Sequence, residues 1–391
     1  MDIRKTVDEM FHQLVEIRRD FHKYPELSGK EFRTGDKICE YLDSWGIEYE
    51  RGIAKTGIVG IIRGKKGQGK TIGVRADIDA LPIDEVADYD YCSVNEGVMH
   101  ACGHDVHTTV LLGMGKILKD MDDEIEGNVK LFFQPAEEAI GGAERMIMEG
   151  CLENPKVDHA IGLHVMPNVP VGMVELKYGK MNANSGSVNI TINGKSGHAA
   201  YPEKSIDAIV IAGQVITSLQ TLVSRNTSPL TSVVLTFGKI SGGTKSNIIT
   251  DKVVLNGTLR ALDTKSREDA KKRIKAIAEG VAAGMGGSAD VVFNDGYIAL
   301  INDDEVLVKI DETAKRLLGE EKIMYKEFPS MGGEDFSYFT DAIPSAFYHL
   351  GGGNVDKGIV EPLHNKNFRV DEECLRIGVL MQVESVLELL K

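Results

Sequence analysis

Apolar residues along this chain recur in two rhythms. Val7, Met10, Phe11, Leu14, Ile17 and Phe21 follow helical spacing, and Thr6-Val-Asp-Glu9 predicts a capping box at the start of that helix. A second helical stretch ends at Trp45-Gly46. Short apolar runs at 58–62, 72–76, 129–133, 160–164 and 346–350 predict strands, with helical patterns at 106–118 and 142–150 between several of them. Strands alternating with helices predict an α/β domain with a largely parallel central sheet flanked by helices.

Between about residues 185 and 295 the rhythm changes. Strand patterns at 188–192, 232–238, 253–259 and 289–293 enclose an apolar-striped helix at 205–223 and a charged helix at 265–280. The order β-α-β-β-α-β predicts a ferredoxin-like α+β domain. The α/β pattern then resumes, so the chain divides into a first catalytic part (1–184), an inserted domain (185–295) and a second catalytic part (296–391). The inserted sheet would have two open edges and one bare face, which invites pairing with a second copy as a homodimer.

The strand pattern also gathers chemistry. Asp77 and Asp79 follow the second run, Glu137 and Glu138 the third, and His164 closes the fourth. Ligands in open α/β sheets bind beyond the carboxyl ends of the strands, so distant residues could meet in one crevice. Adjacent carboxylates such as Glu137 and Glu138 repel each other unless a cation or a proton intervenes. In His100-Ala-Cys-Gly-His-Asp-Val-His107, Gly103 permits a tight backbone, and Cys102 and His104 can face one point. Thiolate, imidazole and carboxylate together suit zinc, cobalt, nickel or manganese better than magnesium. Asp105 is expected to N-cap a helix from Val106. Asp77 and Asp79 could orient histidine ligands from behind, or form a salt bridge to Arg75. His164 and His364 are candidate ligands, and Glu137 and Glu138 divide into a proton carrier and a ligand. In the inserted domain His198, Asn247 and Arg260 are polar candidates for holding an oxyanion or a carboxylate.

Charge narrows the partners. Lys and Arg number 45 against 59 Asp and Glu, a net charge of -14, which argues against nucleic acid or an anionic membrane. Five scattered cysteines and a polar amino terminus predict reduced thiols in the cytoplasm. No apolar run approaches membrane-spanning length on this reading.

Taken in order, His-Ala-Cys-Gly-His-Asp105, Phe-Gln-Pro-Ala-Glu-Glu138, Gly-Leu-His164, Ser-Gly-His-Ala-Ala200 and Pro-Leu-His-Asn365 resemble the amidohydrolase branch of the dinuclear aminoacylase/carboxypeptidase metallopeptidases. That branch includes N-acyl-amino-acid hydrolases, hippurate hydrolases, N-acetyldiaminopimelate deacetylases and auxin-conjugate hydrolases. The resemblance runs from Arg18-Arg-Asp-Phe-His22 to Asn365. It implies two divalent metal ions per subunit (manganese, zinc, nickel or cobalt) on Cys102, His104, Glu138, His164 and His364, with Cys102 bridging. It implies Glu137 as general base, Asp77 and Asp79 within the active site, and His198 reaching a partner's site in a dimer. It also implies that Asn247 and Arg260 hold the substrate carboxylate. The expected reaction is hydrolysis of an N-acyl amino acid, with N-acetyl compounds first and N-acetyl-diaminopimelate among them; a carboxypeptidase or dipeptidase acting on short peptides is the runner-up. Ala139-Ile140-Gly141-Gly142 follows the glutamates where family members vary, which leaves specificity open.

Overall fold

The computed structural model describes residues 1–86, 89–139 and 141–391, so Ile140 of the variable segment lies outside the described residues. In chain order, α1 (Ile3–Lys23) and α2 (Phe32–Trp45) lead into β1 (Glu48–Ile53), β2 (Gly57–Arg63) and β3 (Gly67–Asp77). Next come α3 (His104–Asp120), β4 (Glu126–Gln134), α4 (Gly142–Met148), β5 (His159–Pro170) and β6 (Val174–Leu176). Then follow β7 (Asn184–Asn193), α5 (Ala208–Thr221), β8 (Val233–Gly242), β9 (Lys252–Ala261), α6 (Thr264–Gly284) and β10 (Ser288–Asp295). The chain closes with α7 (Asp304–Leu318), β11 (Ile323–Tyr325), α8 (Ser337–Ala342), β12 (Ser345–Gly353) and α9 (Cys374–Leu390).

Two compact units result: Met1–Gly179 with Ile301–Phe328 and Asp335–Lys391, and Lys180–Leu300 with Pro329–Glu334. The short Pro329–Glu334 segment belongs to the second unit, whereas the sequence pattern assigned it to the catalytic part.

The first unit holds an eight-stranded sheet in the order β1-β2-β4-β3-β5-β12-β6-β11. Its centre, β4-β3-β5-β12, is parallel, while β1/β2, β2/β4 and β12/β6 are antiparallel, so the sheet is mixed. Alternate residues along a strand face opposite sides. Ile72, Val74 and Ala76 of β3 and Val129, Leu131 and Phe133 of β4 join one core with α1, α3 and α9. On the other face Phe132 stacks on Phe339 of α8 at 5.3 Å. The first helix starts a turn earlier than Thr6 suggested, because Asp2 accepts the Lys5 N–H and caps it.

The second unit has a four-stranded antiparallel sheet in the order β8-β9-β7-β10, the ferredoxin-like arrangement. Val188, Ile190 and Ile192 of β7 pack with Ile211 and Val215 of α5 and Ile274 and Ala278 of α6. The helical run Ala208–Asn226, at 19 residues, is long and apolar enough to cross a membrane by length and composition alone, which corrects the expectation that no run approaches that length. Ala208, Ile211, Ala212, Val215 and Leu219 are its buried side; Ile209 and Val210 are exposed.

Candidate metal centre

The centre is built from the start of α3, the turn after β4, the middle of β5 and the loop before α9. Gly103 has φ 88°, and a Cβ there would sit 2.3 Å from Val165 Cγ1, so only glycine fits between Cys102 and His104. His164 does not close its strand: β5 continues to Pro170, and His164 lies just past the point where β3 pairs with β5 through Arg75 and Gly162. Cys102 Sγ is 3.3 Å from His164 Nε2 and 3.3 Å from His364 Nε2. Glu138 Oε1 lies 3.2 Å from His364 Nε2 and 4.0 Å from His104 Nε2. Two donor triads therefore share the thiol, Cys102–His104–His164 and Cys102–Glu138–His364, and a third group joins His104 to Glu137 and Glu138.

These donors fit divalent cations. Both ring nitrogens of His104 and Oε1 of Glu138 are buried and make no well-aligned hydrogen bond, although Asp79 and His364 lie close to them, and a cation would satisfy them. Nδ1 of His164 donates to Val165 O at 2.8 Å, which leaves Nε2 with its lone pair beside the thiol. Burial pushes the His164 pKa well down, which keeps the ring neutral as a ligand must be. Burial pushes the Cys102 thiol up, so its thiolate needs a cation to persist.

Behind the donors, buried carboxylates fix the geometry. Asp79 accepts the Ser28 hydroxyl at 2.6 Å and the N–H groups of Glu137 and Glu138 at 3.1 and 3.0 Å. His104 Nδ1 lies 3.3 Å from its Oδ1. Asp77, expected within the active site, is fully buried. Its Oδ1 accepts from His107 Nδ1 at 2.5 Å and its Oδ2 from Arg75 Nη1 at 2.7 Å. It supports His107 and His104, and the salt bridge to Arg75 is realised. Burial opposes the Asp77 charge, yet Arg75, His104 and His107 hold its carboxyl well below the usual carboxylate range. His107 accepts the Val165 N–H at Nε2 (2.8 Å), so both its nitrogens are occupied and it is no ligand, although the sequence motif grouped it with His100 and His104.

Asp105 is a correction. The helix begins at His104 with Gly103 as its N-cap, and no side chain caps it. The Asp105 carboxylate instead lies 2.8 Å from Arg18 Nε and accepts from His22 Nδ1 at 2.7 Å. His22 Nε2 donates to Glu85 at 2.9 Å. Burial and Arg18 oppose the His22 charge, but Asp105 and Glu85 leave its pKa raised. The residue after His104 is thus tied to α1 by a buried, charge-balanced network.

Sequence reasoning missed three supports. Glu31 accepts the Ala136 N–H at 3.0 Å. Asp335 accepts from Arg75 Nη2 at 2.6 Å and from Gln134 Nε2 at 2.7 Å. His22 and Arg18 hold Asp105. Each is a polar residue without a local signal of its own; of the three, the Arg18–His22 block alone belongs to a stretch quoted for the resemblance.

The second unit carries the remaining candidates. The His198 strand pairs with Ile248–Ile249, and Ala199 N–H donates to Asn247 O at 3.1 Å, so His198 and Asn247 are neighbours. His198 Nδ1 accepts the Ala200 N–H at 3.1 Å, which assigns the proton of the neutral ring to Nε2. Arg260 stands near the opposite end of β9, where it pairs with Ser185 and donates to Met331 O at 3.3 Å. Eight residues, roughly 26 Å of strand at about 3.3 Å per residue, lie between Lys252, where β9 begins after the His198-paired Ile248–Ile249, and Arg260.

Comparison with known proteins agrees with this chemistry. The model of peptidase family M20/M25/M40 matches residues 73–388. N-acetyl-L-cysteine deacetylase of Bacillus subtilis is 40% identical over 379 residues, 97% of this chain and 88% of that protein. Thermostable carboxypeptidase 1 of Saccharolobus solfataricus is 37% identical over 382 residues, 97% of this chain and 95% of that protein. Among solved structures, a Bacillus subtilis dinuclear metal binding peptidase of the M20 family superposes with a TM-score of 0.86 at 33% identity, covering 98% of this chain and 99% of that one. With a family match across most of its length and relatives above 30% identity, the chain belongs to peptidase family M20/M25/M40 and is a metal-dependent hydrolase.

Proposed function

We propose that this protein hydrolyses the amide bond of N-acyl amino acids, with N-acetyl compounds, N-acetyl-diaminopimelate among them, as the leading substrates. The observation that carries the reading is the pair of donor triads sharing Cys102, with Glu137 beside them. The relative named as a deacetylase supports an acetyl group. Cys102, His104, Glu138, His164 and His364 would hold two divalent cations, which when bound polarise a carbonyl and lower the pKa of nearby water. Glu137 takes the proton of the attacking water on its carboxylate and returns it to the nitrogen of the leaving amine. The Nε2–H of His198 donates to the oxygen on which charge develops. Arg260 and Asn247 hold the substrate carboxylate.

His198 and Asn247 flank the short ribbon that precedes β9, whereas Arg260 stands near the far end of β9, and this placement supports a homodimer in which two copies supply the groups that meet one substrate. The exposed Ile209 and Val210 of α5 and the open edge of β8 support pairing through the inserted domain. A second reading, a carboxypeptidase acting on short peptides, is favoured by the carboxypeptidase relatives. Acetyl, benzoyl and peptidyl amides of one amino acid, assayed after reconstitution with manganese, zinc, cobalt or nickel, separate the two. Turnover of acetyl or benzoyl amides above peptides supports the first; peptides alone support the second; no turnover of any overturns both.

A further inference from the structure

Three consecutive N–H groups carry the paired glutamates, and two buried carboxylates from elsewhere accept all three. Glu137 and Glu138 donate to Asp79, and Ala136 donates to Glu31 Oε1 at 3.0 Å. Glu31 is fully buried. It stands at the N-cap of α2 yet does not cap that helix with its side chain. Its oxygens instead accept the Gly29 N–H at 2.8 Å and the Thr56 hydroxyl at 2.6 Å, which fixes the carboxylate from two further segments.

The residue it grips is unusual. Ala136 has φ 57°, a left-handed conformation that an L-residue adopts only at a cost. That conformation bends the chain away from β4 immediately before Glu137. The Gly141 N–H closes the turn onto Ala136 O at 3.0 Å. A Cβ at Gly142 would sit 1.8 Å from Pro135 O, so the turn has no slack on its far side.

We propose that Glu31 is a positioning residue which holds Ala136 left-handed and so directs Glu137 and Glu138 into the donor cluster. This rests on the reading of Glu137 as proton carrier and Glu138 as ligand. Without the grip, the turn relaxes toward an ordinary conformation and both carboxylates shift. A shift of about 1 Å in a reacting group can cost up to ~100-fold in rate. Loss of a residue that orients a ligand weakens metal affinity by about 10–100-fold.

The test uses the full-length protein and four variants, with kcat, KM and the dissociation constant for zinc measured by titration. Glu31→Ala and Glu31→Asp, the latter keeping the charge but retracting it by one methylene, lower kcat about tenfold or more with little change in KM, and weaken zinc about tenfold. Glu31→Gln keeps an acceptor oxygen and recovers most of both. Adding Ala136→Gly to Glu31→Asp also recovers both, because glycine takes positive φ without strain. If Glu31→Ala does not fold, Glu31→Asp carries the comparison. Folded Glu31→Ala and Glu31→Asp with wild-type kcat and zinc affinity overturn the proposal. So does a loss that Ala136→Gly leaves untouched, since Glu31 then serves only the fold. The zinc titration decides this even if every amide substrate fails, so the two readings fail separately.

Discussion

Gly103→Ala is the most informative single perturbation of the ligand loop. The substitution adds one methyl group at φ 88°, between two proposed ligands, with Val165 Cγ1 2.3 Å from the new atom. The left-handed backbone costs an L-residue about 1–2 kcal/mol. Forcing a methyl into the packed contact adds about 1–3 kcal/mol. The sum, about 2–5 kcal/mol, is a large share of a typical stability of about 5–15 kcal/mol. Urea unfolding of the metal-free protein measures it as a lowered midpoint with unchanged slope. The second effect is local: Cys102 and His104 move apart, so zinc affinity falls beyond what the stability loss explains. Adding Val165→Ala removes the clash but not the backbone cost, so it restores part of the stability and opens room for the loop. A Gly103→Ala protein within about 0.5 kcal/mol of wild type, the range of an ordinary surface change, would refute the reasoning.

Other substitutions probe separate parts. Glu137→Gln is expected to retain its metals and lose turnover by about 100-fold or more, read by metal analysis beside steady-state kinetics. Asp105→Asn leaves Arg18 and His22 without their shared buried anion and is expected to cost about 3–5 kcal/mol in urea unfolding, far above a helix-cap effect of ~1 kcal/mol. Mixing Glu137→Gln with His198→Ala subunits tests the dimer: if His198 acts on the partner, mixed dimers regain one intact site and about a quarter of wild-type activity returns on random pairing, whereas action within one subunit returns none.

Much of the fold is readable from local pattern because strands and helices are local objects. The predicted strand centres at 58–62, 72–76 and 129–133 fall within β2, β3 and β4, and the order of the inserted domain gives its antiparallel sheet. The pairing of strands is not local, and this hides the antiparallel flank β1-β2-β4. Boundaries failed where two signals competed: Asp2 and Thr6 are both good caps, and the structure uses Asp2. At the site, Cys102, His104, Glu138, His164 and His364 stand in motifs whose residue types announce metal chemistry. Asp105 looked like a cap because nothing near it reveals that Arg18 and His22 arrive from another helix. His107 stands in the same Cys/His-rich tract as Cys102 and His104, and its saturation by Asp77 and the Val165 N–H is tertiary, so the local pattern could not reveal it. Glu31 gave no signal, since a buried carboxylate that grips a distant backbone N–H reads as one more polar loop residue.

The central claim is that one thiolate is shared by two cations among histidines drawn from three segments. X-ray absorption on the zinc-loaded protein, with metal counted per subunit, tests it most directly. The account predicts two zinc ions per subunit and a sulfur scatterer at about 2.3 Å that vanishes in Cys102→Ser. A wild-type spectrum with nitrogen and oxygen neighbours alone, or a single ion per subunit at saturation, would contradict it.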